Sequence, residues 1–193
     1  SSQTGSGKTA AFILPSVQRI FYAHPGGHPA NEVRNQGRNA PRSLPRILVL
    51  VPTRELALQV QSAAEDLTRG ARRLRSVVVV GGTAYGQQLR MLREGVDLVV
   101  ATPGRLIDHL QSGRINLSAI EVLVLDEADR MLDMGFIDDI HLIAAKTPAT
   151  RQTLLFSATL DGVVGKLAAK LTRSPKRIEV AAPAGREAMI RQT

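Results

Sequence analysis

Short runs of branched apolar residues recur along this chain, and the segments between them carry a helical period. The runs cover 46–51, 76–80, 97–100, 121–125, 152–156 and 176–180. A continuous apolar run bounded by turn residues predicts a strand covered on both faces. Helical patterns fill 7–22, 54–69, 85–94, 105–112, 136–145 and 161–171. Thr53 or Arg54 opens the second of these after Pro52, and Asp161 can cap the last. Alternation of this kind needs crossover connections, so the expected fold is α/β: a mostly parallel sheet flanked by helices on both faces. With 193 residues, 44% of them hydrophobic, the chain has the material for one domain and its core. The stretch 24–45 is rich in Pro, Gly and Asn, which predicts a mobile surface loop.

Two motifs carry chemistry on this frame. In SQTGSGKT, residues 2–9, Gly5 and Gly7 bracket Ser6 ahead of Lys8 and Thr9. Such a loop can curl its N–H groups inward around phosphate oxygens at the positive end of the helix that follows. Lys8 would reach the β- and γ-phosphates, and Thr9 would offer its hydroxyl to Mg²⁺. Ser2 stands where the usual phosphate-loop pattern has its first glycine, so the motif is weighed with its partner. That partner is the apolar run at 122–125 followed by Asp126, Glu127, Ala128 and Asp129. Carboxylates at a strand's C-terminal end face the ligand crevice of an open α/β sheet. Asp126 is placed to hold Mg²⁺ partly through water, and Glu127 to orient or deprotonate an attacking water. A capped turn and a solvated acidic turn are the plainer readings of each motif alone; together the motifs favour a nucleotide site.

Composition narrows the partners. There are 25 Lys and Arg against 17 Asp and Glu, a net charge of +8 that suits a polyanion. The basic residues gather at Arg34, Arg38, Arg42 and Arg46, at Arg69, Arg72, Arg73 and Arg75, and at Arg90 and Arg93, and each cluster is equally readable as solvated surface. No Trp, two Tyr and four Phe leave little for base stacking, so backbone contacts must dominate any nucleic-acid binding. The absence of cysteine removes disulfides and thiolate metal sites and fits a reducing compartment. No apolar run approaches the ~18 residues that span a membrane and no leader opens the chain, so a cytoplasmic protein is expected.

The ordered signatures SQTGSGKT at 2–9, PTRELA at 52–57, GG at 81–82, TPGR at 102–105, DEAD at 126–129, DMGF at 133–136 and SAT at 157–159 resemble the first RecA-like domain of a DEAD-box ATP-dependent RNA helicase. That resemblance implies a RecA-like P-loop fold over 1–180, with 181–193 the start of a linker to a second RecA-like domain. It implies ATP and Mg²⁺ as cofactors. Ser2, Gln3, Thr4, Gly5, Ser6, Gly7, Lys8 and Thr9 would hold the nucleotide. Thr9 and Asp126 would hold the metal, and Lys8, Asp126 and Glu127 would act in catalysis. RNA would be the partner, held by its backbone with little sequence specificity. Pro52, Thr53, Arg54, Gly81, Gly82, Thr102, Pro103, Gly104 and Arg105 each follow a predicted strand and would share one rim as the RNA track. Ser157 and Thr159 would bind Asp129, a hydroxyl pair coupling the nucleotide to RNA.

Other readings stay open on the residues alone. One is another P-loop machine, a DNA helicase or nucleotide kinase; another is a non-catalytic RNA-binding module that kept the fold. The glycine loop starts without the strand that normally precedes it, so the sequence is expected to be a piece of a longer protein that continues at both ends.

Overall fold

The computed structural model describes residues 7–22, 44–69, 74–160 and 162–179. Most of the 24–45 stretch, the Asp161 cap and the expected linker therefore lie outside the described residues. Five strands form one parallel sheet: β1 (Ile47–Leu50), β2 (Ser76–Val79), β3 (Leu98–Ala101), β4 (Val122–Leu125) and β5 (Gln152–Leu155), in the order β2-β3-β1-β4-β5. The helices are α1 (Lys8–Tyr22), α2 (Arg54–Thr68), α3 (Tyr85–Glu94), α4 (Pro103–Gln111), α5 (Ala128–Asp133), α6 (Ile137–Ala145) and α7 (Gly162–Leu171).

The central strand shows why these runs became strands. Along β1 the side chains alternate between two cores, because successive Cβ atoms point to opposite faces. Ile47, Val49 and Val51 join Phe12, Ile13, Val17 and Ile20 of α1 and Ala57, Val60 and Ala64 of α2. Leu48 and Leu50 join Leu106 of α4, Met131 of α5, Ile140 and Ile143 of α6 and Leu167 of α7. Both faces are covered, so the strand needs apolar residues at every position, and each fully buried one contributes about 1.5–3 kcal/mol.

Register aligns the strand ends: Leu50 stands beside Ala101 on one side and Leu125 on the other. The loops after β1, β3 and β4 thus leave the sheet at one level, which places the candidate site. The run at 176–180 is a correction to the sequence reading. Lys176–Glu179 is irregular, with Ile178 74% exposed. Among the described residues no strand pairs with it to complete a ladder.

Candidate nucleotide and RNA site

At the head of α1, Lys8 and Thr9 occupy the first turn, and the Ala11 N–H closes that turn on the Gly7 carbonyl at 3.0 Å. No acidic residue sits in this turn, so the helix keeps its positive end for an anion. Ser2, Gln3, Thr4, Gly5 and Ser6 lie outside the described residues.

The acidic quartet leaves β4 beside this helix. The Asp126 N–H bonds the Leu50 carbonyl at 3.0 Å, which carries the β1–β4 ladder one step past both strands, and Asp126 is 3% exposed. Burial pushes its carboxyl above the ordinary range. The charge of Lys8 opposes the rise, Glu127 and Asp129 add to it, and a bond from the Glu127 N–H opposes it again. Phe12 and Ile13 of α1 lie in one core with Val122 and Val124 of β4, so the helix that begins at Lys8 and the strand that ends in the quartet are packed into the same layer.

Glu127 has φ 52° and ψ 52°, a left-handed backbone that non-glycine residues seldom adopt. Its N–H donates to Asp126 Oδ1 at 3.0 Å, the next N–H, of Ala128, donates to the Phe156 carbonyl at 3.0 Å, and Arg130 reaches its Oε2 at 3.4 Å. The β5 end and the quartet's own carboxylate hold the conformation. Strain kept by its surroundings at a carboxylate is a mark of a working site.

Among the described residues no three carboxylates or histidines converge into a ready metal cage. Mg²⁺ does not require one: it keeps several waters and takes one or two carboxylates plus phosphate oxygens. A buried Asp126 with a hydroxyl-bearing helix turn nearby is the hard-oxygen donor set that fits it.

Asp129 links the quartet to the segment after β5, with a different arrangement from the expected hydroxyl pair. Ser157 Oγ accepts from the Asp129 N–H at 3.3 Å, and Asp129 Oδ2 accepts from the Ala158 N–H at 3.2 Å. The Thr159 N–H reaches Ser157 Oγ at 3.4 Å, so Thr159 enters through its backbone.

The three other motifs leave β1, β2 and β3 on the same rim. Thr53 caps α2, its hydroxyl oxygen accepting from the Leu56 N–H at 3.3 Å, and Pro52 before it is buried. Arg54 turns sideways: Nη1 donates to the Gly82 carbonyl at 2.8 Å and the Gly81 carbonyl at 3.4 Å. Thr102 leads into α4, with Pro103 at its first turn, Gly104 next and Arg105 largely covered at 21% exposure. The Thr102 N–H bonds the Val79 carbonyl at 3.2 Å. A second tie lies below: Gln88 of α3 bonds both the Val80 carbonyl and His109 of α4. The loops after β1, β2 and β3 are thus fastened into one surface, with exposed Gly81 and Gly82 in the middle.

Gln88 and His109 were not singled out from sequence, nor was the short helix α5. The basic clusters dissolve in part. Arg46 is buried, pairing with Glu121 and donating to the Ile20 carbonyl at 2.6 Å, so it is no surface cation. Arg75 pairs with Asp97, Arg69 with Asp66 and Arg90 with Glu94. No helix among the described residues is long and apolar enough to cross a membrane.

Comparison with known proteins agrees with this geometry. Residues 1–167 match the model of the DEAD/DEAH box helicase family. The chain is 42% identical over 179 residues to the ATP-dependent RNA helicase DeaD of Escherichia coli, covering 93% of this chain and 26% of that protein. It is 45% identical over 181 residues to the probable ATP-dependent RNA helicase ddx27 of Dictyostelium discoideum, covering 93% and 21%. The chain therefore spans about a quarter of the length of the curated relatives it matches. The crystal structure of the yeast DEAD-box splicing factor Prp28 superposes with a TM-score of 0.74 at 35% identity, covering 89% of this chain and 38% of that one. With its five-stranded parallel sheet between two helical layers, the chain belongs to the DEAD/DEAH box helicase family, whose members use ATP, and forms the RecA-like domain that carries the DEAD quartet.

Proposed function

We propose that this domain is the ATP- and RNA-binding half of an ATP-dependent RNA helicase, coupling nucleotide binding and hydrolysis to local separation of an RNA duplex in the full-length protein. The observation that supports the reading best is the left-handed Glu127 beside buried Asp126 at the end of β4, on the rim where the loops after β1 and β3 also leave the sheet. Residues 2–9 cradle the phosphates, and Lys8 neutralises charge on them. Glu127, fixed in its left-handed turn, takes a proton from or orients the attacking water. Asp126 and Thr9 would hold Mg²⁺, partly through water, and the ion would supply charge neutralisation at the phosphates. The turns at Pro52–Arg54, Gly81–Gly82 and Thr102–Arg105 take the RNA backbone, and Asp129 with Ser157 and Thr159 passes the state of the nucleotide across the sheet. Residues 1–180 form the domain, and 181–193 begin the link to a second RecA-like domain. A transition-state arginine from that second domain would be worth about 10³ to 10⁵ in rate, so the isolated domain turns ATP over very slowly.

In the full-length protein, Glu127→Gln is expected to retain ATP binding while RNA-stimulated hydrolysis falls about 10²- to 10⁴-fold, the range of a general base. Unchanged turnover would reject the assignment of Glu127 and with it the catalytic reading.

A further inference from the structure

The end of α4 places a residue that none of the motifs contains. After Gln111 the chain passes through Ser112 to Gly113, whose φ of 65° is left-handed. The Gly113 N–H bonds the Leu110 carbonyl at 3.0 Å and the Arg114 N–H bonds the His109 carbonyl at 2.9 Å. This double closure reverses the chain and turns Arg114 back along the helix it has just left. Its guanidinium comes to 5.5 Å from the centre of the Tyr85 ring, and that of Arg105, from the first turn of the same helix, comes to 5.4 Å.

The ring is a fixed platform. Tyr85 stacks on His109 at 4.4 Å with 4° between planes, and its hydroxyl meets Ser112 Oγ at 3.2 Å. The two cations are poorly neutralised. Arg105 has a 3.9 Å contact with a largely exposed Asp108, and Arg114 has no carboxylate within ion-pair distance among the described residues. A guanidinium on a half-buried, solvent-reached ring gains only about 1 kcal/mol, so two like charges gathered on Tyr85 leave room for an anion between them.

We infer that Arg114 joins Arg105 on the Tyr85 ring to form a phosphate contact for the RNA backbone, extending the track past the Thr102–Arg105 turn. This rests on the RNA reading above. The occupant follows from continuity: Arg105 belongs to the turn that faces RNA, and Arg114 is held to the same ring by the same helix. The planar fork of each guanidinium matches a phosphodiester's two free oxygens.

The test uses the full-length protein and a fluorescein-labelled oligouridylate, with affinity measured across a KCl series. Arg114→Gln is expected to flatten the slope of log K against log[KCl] by about 0.7, the loss of one phosphate contact to a single strand. Affinity at low salt should fall about two- to fivefold, while ATP affinity and the thermal midpoint stay unchanged. Arg114→Lys should keep the slope. Lys170→Gln, which removes one charge from the helix after β5 at the far edge of the sheet, should leave it alone. If Arg105→Gln flattens the slope and Arg114→Gln does not, the inference fails and the RNA reading stands. If neither flattens it, both fail. Loss of ATP affinity or of the midpoint in Arg114→Gln, with Arg114→Lys normal in both and equally flat in slope, would also overturn the inference.

Discussion

Gln88 fixes the protonation of His109. Both Gln88 Nε2 hydrogens are spent, one on the Val80 carbonyl at 2.9 Å and one on Thr83 Oγ1, which turns the acceptor-only Oε1 toward His109. His109 Nε2 lies 3.0 Å from that oxygen and must donate, and buried Nδ1, with no partner, carries no proton. The neutral imidazole is the one this pocket fits, and the bond fastens α4, which carries the Thr102–Arg105 turn, to the loop that carries Gly81 and Gly82.

Stability should therefore depend on pH through His109. Burial first, then the charge of Arg105, lower its pKa in the fold; Asp108 opposes them, and Arg114 adds the weakest lowering effect. Between that lowered value and the unfolded value near 6.5, the unfolded chain binds a proton that the folded one refuses. Stability is complete above about pH 6.5 and declines as pH falls below it, by at most about 1.4 kcal/mol per pH unit for this one group. His109→Gln keeps an N–H for Gln88 and cannot titrate. Urea unfolding at pH 7.0, 6.0 and 5.5 should show a shallower decline in this variant. An equal decline in both would mean that His109 titrates normally in the fold.

Glu127 offers a test of strain. Its left-handed backbone costs an L-residue about 1–2 kcal/mol relative to glycine. Glu127→Gly and Glu127→Ala both remove the carboxylate and its contact with Arg130, so their difference isolates the backbone term. Elsewhere alanine is the more stable replacement, since glycine has more freedom to lose. Here Glu127→Gly should exceed Glu127→Ala by about 1 kcal/mol in urea unfolding, with both inactive. Equal stabilities, or an alanine advantage, would show that the turn is not strained.

The strands β1, β3 and β4 were legible because burial on both faces writes a signal that needs no partner to be read, and all five strands fall within one or two residues of the predicted runs although edge strand β5 is only partly buried. The run at 176–180 was read by the same local signal but pairs with no strand among the described residues, and pairing is a property of the sheet. Helix α5 is six residues long, too short to show a period. The quartet was legible because its chemistry demands fixed spacing, whereas most of the glycine loop lies outside the described residues. Gln88, His109, Tyr85 and Arg114 were not, since each is an ordinary helix or loop residue until α3 and α4 are laid side by side. Arg46 shows the reverse error, a cation grouped with its sequence neighbours although Glu121, on the far side of the chain, neutralises it. Arg54 joins both lessons: its motif was evident, and its partner was not.

That partner gives a double-mutant cycle. Gly82 has φ 72°, and a Cβ built there would lie 3.0 Å from Arg54 Nη1, the same nitrogen that grips the Gly82 carbonyl. Gly82→Ala should cost about 1–2 kcal/mol for the left-handed backbone alone, and more because Arg54 must give way. Arg54→Ala alone should cost about 1 kcal/mol for its two carbonyl bonds. With Arg54 already gone, the new methyl meets open space, so the double variant should be less destabilised than the sum by about 0.5–1 kcal/mol. RNA affinity of the full-length protein should fall in all three variants, because each frees the Gly81–Gly82 turn from the start of α2. Urea unfolding of the four proteins measures the coupling, and additivity within about 0.3 kcal/mol would mean that Arg54 does not hold this turn in solution.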